Sequence, residues 1–438
     1  MHAQKRARPA RQWKQKRNEK QVKRRWLHML GPGLITGASD DDPSGIATYS
    51  QVGALYGYGM LWTILFSIPL MTGIQEISAR IGRVTGRGIA GNMRRHYPNA
   101  LLYGIVFLLL VANIINLGAD IVAMGDAARL LFGGDKKFYS VLLALFSLGL
   151  QVFLPYRRYV KYLKWLCLVV FSYVATVFVL HADWGQVLKG TFLPHLRWDN
   201  DYITAIVAVF GTTITPYLFF WQASTEVEEQ ELNEREKPLL KAPRQAGRQL
   251  QRIRVDTLTG MIISNAVAFC IILAVAATLH AHGVRSIETS AQAAEALRPL
   301  AGRFAFILFT LGIIGTGLLA LPVLAGAAAY AVGEALKWPV GLEREVPHAK
   351  GFYAVLAGAV LLGLGMDFIQ INPIRALYWS AVINGVAAGP IMIAMMLMSS
   401  SRRVMGEFVI QRRLKIMGWT ATGVMLACAA GLFLTMGK

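Results

Sequence analysis

The chain has 438 residues, 55% of them hydrophobic and only 16% charged, where a soluble domain carries roughly a quarter charged residues. Its mean hydropathy is +0.44, and whole stretches are apolar on every face, a pattern that lipid tolerates and water does not. These values exclude an ordinary soluble domain. At about 20 apolar residues per crossing, the length has room for roughly ten or eleven membrane spans.

The net charge of +20 is concentrated, since residues 1–25 hold eleven Lys/Arg and a single acid, Glu19. Residues 1–28 read as a basic cytoplasmic tail touching anionic lipid, in preference to a nucleic-acid arm. No nucleic-acid partner is expected. The tail is not a secretory signal, because the apolar stretch from Trp26 is broken at once by Gly31-Pro32-Gly33. Eleven apolar segments follow, at 29–57, 60–82, 100–123, 138–156, 162–181, 203–225, 256–279, 303–333, 351–368, 374–399 and 415–436. The predicted class is an all-α integral membrane protein of about eleven transmembrane helices.

With the tail inside, the cytoplasmic segments are 1–25, 80–95, 157–164, 235–254, 337–350 and 402–415. They hold 35 of the 45 Lys/Arg. That asymmetry predicts a multi-pass inner-membrane protein with a cytoplasmic N-terminus and, after an odd number of spans, an outside C-terminus. Trp26, Trp62, Trp165, Trp184, Trp198 and Trp338 are expected to anchor span ends at the interface. The stretch 226–254 begins acidic (Glu226, Glu228, Glu229, Glu231, Glu234, Glu236) and turns basic. It reads as a solvated connector rather than a metal-binding loop. Cys167, Cys270 and Cys428 lie far apart in apolar runs and read as small buried hydrophobes. No H-E-x-x-H, G-x-S-x-G or P-loop pattern occurs, so nothing points to hydrolysis or nucleotide chemistry.

Two spans are interrupted. The first reads GPGLITGASDDDPSGIATYSQVGALYGYG and the sixth AIVAVFGTTITPYLFFWQAST. Each has a proline after small or hydroxyl residues in the middle of an apolar run. Proline removes an amide and clashes with the preceding turn, so the helix opens there. Unwound backbone at membrane depth survives only where it is buried in protein or lines a cavity. The breaks are five spans apart, so the two helices cross in opposite directions. This predicts a five-plus-five inverted repeat, with residues 29–181 as the first unit, 203–399 as the second and 415–436 as an additional helix. Asp40, Asp41 and Asp42 stand at the first break. Each buried charge costs about 2.5–3.5 kcal/mol even on a lenient scale, and three in a row call for a cation. They need not all be ionised, because adjacent negative charges oppose one another.

These residues resemble a known family. GPGLITGASDDDPSG is similar to the first helix of the NRAMP (natural resistance-associated macrophage protein) divalent-metal transporters, which carries a DPGN motif. GTTITPYLFFWQA is similar to the family's sixth helix, with its Met-Pro-His motif. QEISARIGRVTGRGIAGNM is similar to the segment after the second helix. The resemblance implies a LeuT-type fold, no enzymatic activity, and transport of manganese or iron with protons. The metal would be cargo and not a cofactor. It places the metal-binding aspartate on Asp42, the family's asparagine on Gly45, a carbonyl ligand on Thr212, the methionine on Thr215 and the histidine on Tyr217. Asp40 and Asp41 would act directly or through water. In the third helix, the family's Asp-Leu-Ala-Glu becomes LGAD, so Leu117 and Asp120 replace its two acids.

Loss of the thioether and the amide leaves oxygen donors, which suit Mg²⁺, Ca²⁺ and Mn²⁺. Mg²⁺ keeps several waters on few carboxylates, and the vacated space at Gly45 is expected to hold them. The reading is therefore a secondary importer of Mg²⁺, with Mn²⁺ as a competitor, similar to the magnesium-transporting branch of the family. No proton coupling is expected, because the titratable third- and sixth-helix positions are gone. Glu76 and Asp120 remain as candidate proton carriers or supporting acids. A proton-coupled Mn²⁺/Fe²⁺ transporter of the ordinary kind stays open. A Mg²⁺-dependent prenyl-transferring membrane enzyme is the remote alternative, lacking a second acidic cluster inside the bundle. The sequence does not indicate an oligomeric state.

Overall fold

The computed structural model describes residues 31–154, 168–180, 182–194, 196–369 and 372–436. The basic tail, Trp26, His28, Trp165, Cys167, His181, His195 and the start of the fifth segment lie outside them.

Every regular element among the described residues is helical, and each predicted span is met by a helix. The first span is α1 (Pro32–Asp40) and α2 (Pro43–Tyr56), and the second is α3 (Leu61–Thr85). A short amphipathic helix, α4 (Ile89–His96), leads to α5 (Asn99–Phe132) and α6 (Lys136–Phe153). The described part of the fifth span is α7 (Phe171–Val179), followed by α8 (Trp184–Phe192). The sixth span is α9 (Asn200–Thr213) and α10 (Pro216–Glu231). Then come α11 (Ala246–Val275), α12 (Ala305–Leu336), α13 (Lys350–Gly365), α14 (Pro373–Ser399) and α15 (Arg412–Met436). Among the described residues, nine helical stretches are long and apolar enough to cross a membrane.

The sixth span is the axis of the bundle. Its most apolar stretch is 94% buried, against 22% in Lys136–Phe153 and 33% in Arg412–Thr435. Those outer helices keep Leu142, Phe146, Phe433 and Leu434 on the outer surface, which in lipid is the favourable place for them. Close approach between spans depends on missing side chains, as membrane packing generally does. A Cβ on Gly37 of α1 would collide with the backbone of Gly260 in α11, and one on Gly211 of α9 with Ala381 and Gly385 of α14.

Contacts fix the sense of crossing. The second half of span one, α2, packs on the first half of span six, α9, while α1 packs on α10. The two broken spans therefore run antiparallel, as the odd spacing predicts.

Two sequence expectations are corrected. The acidic start of 226–254 is solvated at Glu231 and Glu234 but not at its first two acids. Glu226 and Glu228 belong to α10. Glu226 is fully buried and pairs with Arg252, while Glu228 accepts from the Tyr330 hydroxyl and from the Glu343 amide at 2.7 Å. Arg252 also reaches Glu229 at 3.3 Å, so this end of the bundle is closed by paired charges that the sequence shows only as a charge run. Trp62 is not an interface anchor either. It is buried, with its indole donating to the Tyr202 hydroxyl at 3.3 Å, whereas Trp184, Trp198 and Trp338 are exposed.

Candidate metal site

The two breaks face each other in the interior. At the first, α1 stops at Asp40 and α2 starts at Pro43, with Asp42 as its N-cap. At the second, α9 stops at Thr213 and α10 starts at Pro216, with Thr215 as its N-cap. Proline has no amide for the carbonyl four residues back, so Ser39 and Thr212 lose their helical donors. Hydroxyls replace them. Tyr217 of α10 lies 3.3 Å from the Ser39 carbonyl, and Thr215 donates to the Thr212 carbonyl at 2.9 Å. Two helix C-termini, with their partial negative charge, thus end at the same place as Asp42.

Asp42 is the hub. Its Oδ1 accepts from the Ser44 hydroxyl at 2.7 Å and from the Gly45 amide at 2.8 Å. Its Oδ2 accepts from Asn116 Nδ2 at 3.0 Å and lies 3.2 Å from the Tyr217 hydroxyl. Two carboxylate oxygens offer about four acceptor positions, and protein donors fill them. Tyr217 holds the longest of the four bonds and has a second acceptor in Ser39.

Asp40 and Asp41 turn elsewhere. Ser264 of α11 lies 2.5 Å from Asp40 Oδ2 and 3.3 Å from Asp41 Oδ1, and its single proton serves one of them at a time. Among the described residues, no three His, Cys, Asp or Glu side chains form a ready cation cage. Asp42 alone joins the two breaks. Asp40, Asp41, Asp42, Thr212, Thr215 and Tyr217 are all buried.

Gly45 is in the first turn of α2, not in the unwound stretch, and the space expected beside it is occupied. A Cβ there would lie 3.2 Å from Thr212 Oγ1 and 3.4 Å from the Asp40 carbonyl. Glycine lets α2 and α9 close on each other. Glu76 is bound at 2.6 Å by Arg80 one turn along α3, which gives it a structural partner away from the breaks. Asp120 does come close: it is fully buried one turn from Asn116 on α5, and the electrostatic neighbours of its carboxyl are Asp42 and the Ser44 amide. No hydrogen bond of ordinary geometry reaches its oxygens.

Sequence reasoning missed Asn116, Ser44 and Ser264. A signal for the first was present. Asn113, Asn116 and Asp120 recur at helical spacing on one face of an otherwise apolar span. Asn113 donates to the Leu324 carbonyl at 2.9 Å, and Asn384 of α14 donates to Asn116 Oδ1 at 3.4 Å. Such a stripe in a membrane helix has to face protein.

The family model described as natural resistance-associated macrophage protein-like matches residues 33–435. The chain belongs to the Nramp family. A divalent metal cation transporter, MntH, of Vibrio campbellii (strain ATCC BAA-1116) is 27% identical over 423 residues, covering 94% of this chain and 93% of that protein. Among solved structures, the manganese transporter of Eremococcus coleocola superposes with a TM-score of 0.72 at 16% identity, over 94% of this chain and 95% of that one. MhsT, solved with L-phenylalanine, superposes with a TM-score of 0.62 at 12% identity, over 91% of this chain and 98% of that one. The fold is LeuT-type, and this Nramp chain is a multi-pass divalent-metal transporter whose metal is cargo.

Proposed function

We propose that this Nramp protein imports Mg²⁺, with Mn²⁺ as a competitor, and that it does so without moving protons. The observation that carries the reading is the chemistry of the two breaks. One carboxylate, Asp42, faces a sixth-span break whose side chains, Thr212, Thr215 and Tyr217, carry oxygen only. Oxygen donors with a single direct charge suit a hard cation that keeps most of its water. Asp42, the Thr212 carbonyl and the Thr215 hydroxyl are the direct ligands, and waters complete the octahedron. Asp40 and Asp41, shared by Ser264, add charge at one remove.

The absence of coupling rests on Leu117 and Tyr217, which cannot relay a proton near neutral pH. An inside-negative potential supplies about 2.3 kcal/mol per charge per 100 mV, which suffices for a divalent ion. The basic loops support a cytoplasmic N-terminus, an outside C-terminus and an inner-membrane location. The antiparallel contacts of the broken spans support the repeat units 29–181 and 203–399.

A second reading, proton-coupled Mn²⁺ transport, is favoured by Asp120, whose oxygens lack ordinary hydrogen bonds beside Asp42. Uptake by proteoliposomes offered Mg²⁺, Mn²⁺ and Ca²⁺, with a pH-sensitive dye inside, separates the two. Mg²⁺ influx with an unchanged internal pH is the expected result. Mn²⁺ influx with matching acidification and no Mg²⁺ transport establishes the second reading instead.

A further inference from the structure

We infer that a cationic groove between α4 and the end of α12 binds the headgroup of one anionic phospholipid. The groove encloses about 610 Å³, and its lining includes Arg87, Arg94, Arg95, Asn99, Tyr103 and Lys337. Its lining includes none of the residues at the two breaks. The amphipathic α4 builds one wall. Its buried Ile89, Ala90 and Met93 fix it to the bundle, while its last turn, Arg94-Arg95-His96, is left at the rim.

The four cations, Arg87, Arg94, Arg95 and Lys337, are not matched by ion pairs among the described residues. Glu334 is the acid within electrostatic reach of Arg94, but its carboxylate is turned to the Gly88 amide at 3.1 Å, the Gly91 amide at 2.8 Å and the Ser224 hydroxyl at 3.2 Å. Only its main-chain carbonyl meets Arg94, at 2.6 Å. Burial and the neighbouring Arg95 and Arg94 hold the Arg87 guanidinium below its usual range.

The backbone gives an independent observation. Lys337 ends α12 in the left-handed conformation, with φ of 63°, and among the described residues it is the one non-glycine with positive φ. Glycine is the natural occupant of that helix-ending position. A lysine there places an ammonium at the groove against the local backbone preference.

The anion is a lipid headgroup rather than a free phosphate because of what adjoins the groove. Tyr103 is 49% exposed, and Phe107, one turn along α5, is 67% exposed. They form an aromatic wall on the outer surface of a membrane-spanning helix, where acyl chains lie and where interfacial tyrosines sit. Basic pockets between helices at the membrane surface are a known way to hold anionic headgroups.

The test uses the full-length protein, purified in detergent and stripped of lipid, with native mass spectrometry and thermal unfolding as readouts. Phosphatidylglycerol, phosphatidylcholine and inorganic phosphate are added separately. One phosphatidylglycerol per chain is expected to be retained over phosphatidylcholine and to raise the unfolding temperature. Each of Lys337→Gly and Arg95→Gln is expected to weaken retention about fivefold, and the pair about 30-fold, at the usual worth of a basic residue near an anionic surface. Lys337→Gly keeps the turn, so its lipid-free unfolding temperature should not fall, and a loss of lipid there cannot be misfolding. Arg412→Gln with Arg413→Gln, at the start of α15, should leave retention unchanged. Equal retention of the two lipids overturns the inference. So does an equal loss in the Arg412/Arg413 variant, or stabilisation by inorganic phosphate alone that matches the lipid.

Discussion

At Pro43 the orphaned carbonyl, that of Ser39, is approached by a phenol from another span. At Pro216 the orphaned carbonyl, that of Thr212, is met by Thr215 three residues further on. The first break depends on the rest of the bundle: Asn116 from α5, Tyr217 from α10 and Ser264 from α11 all converge on its carboxylates. The second is satisfied from within its own chain segment and carries no charge. The difference teaches how the work is divided. The first break supplies the charge and is held in place by its neighbours, while the second supplies neutral oxygens and can be altered with less damage.

The sharpest way to break this comparison is to remove the charge and keep the cap. Asp42→Asn still accepts the Gly45 amide, and asparagine caps helices as well as aspartate. It should fold, yet lose Mg²⁺ binding by about 30-fold or more, the scale set by about 2–5 kcal/mol for a truncated buried charge partner. Isothermal titration and uptake measure it, and full transport by this variant removes Asp42 from the site. Asp42→Ala confounds the two roles, because it also strips the cap at a cost of about 1 kcal/mol.

Next in size is selectivity. Thr215→Met restores a thioether at the neutral break and should raise the preference for Mn²⁺ or Cd²⁺ over Mg²⁺ by roughly tenfold, about 1.4 kcal/mol. Competition uptake reads this directly, and an unchanged preference shows that Thr215 does not face the ion. Adding Gly45→Asn does not sharpen the result, since Thr212 Oγ1 already stands where its Cβ would be met at 3.2 Å. Overpacking of that kind costs about 1–3 kcal/mol, so this variant should melt earlier.

Tyr217→Phe removes the longest of the four bonds to Asp42 and frees an acceptor position there. It should tighten Mg²⁺ binding about fivefold and lower stability by about 1 kcal/mol, the worth of one hydrogen bond. Weaker binding in that variant would make Tyr217 a ligand instead. The smallest effect is expected from Asp120→Asn, which should leave uptake within about twofold if no proton moves with the metal. A large loss, accompanied by loss of metal-driven acidification, would support the coupled reading.

The breaks themselves were legible because proline among small residues in an apolar run has one physical outcome. The partners of Asp42 were not. One asparagine or serine hardly changes the hydropathy of a span, and Asn116 becomes visible only when read with Asn113 and Asp120 on a helical face. Gly45 was misread in a different way: a sequence shows which side chain is missing, and the structure shows that Thr212 fills the gap. Glu226 and Glu228 looked solvated because a charge run does not show which charges fold onto each other: Arg252 returns to Glu226 from the basic end of the same stretch, and the Glu343 amide reaches Glu228 from far along the chain. Charges that meet across a fold are invisible to a count along it.

Asp256 of α11 accepts the Gly31 and Gly33 amides, each at 2.8 Å, at the very start of α1, and α1 and α11 touch backbone to backbone where Gly37 meets Gly260. The first half of span one is thus riveted to span seven at both ends, by Asp256 at its start and by Ser264 at Asp40 and Asp41. In mechanical terms, α1 and α11 form one leaf of a hinge. A motion that exposes Asp42 by swinging α1 either carries α11 along or ruptures two charge-assisted bonds of about 1.5–3 kcal/mol each. Speed of turnover then becomes a property of a carboxylate two turns and more away from the cation it never touches.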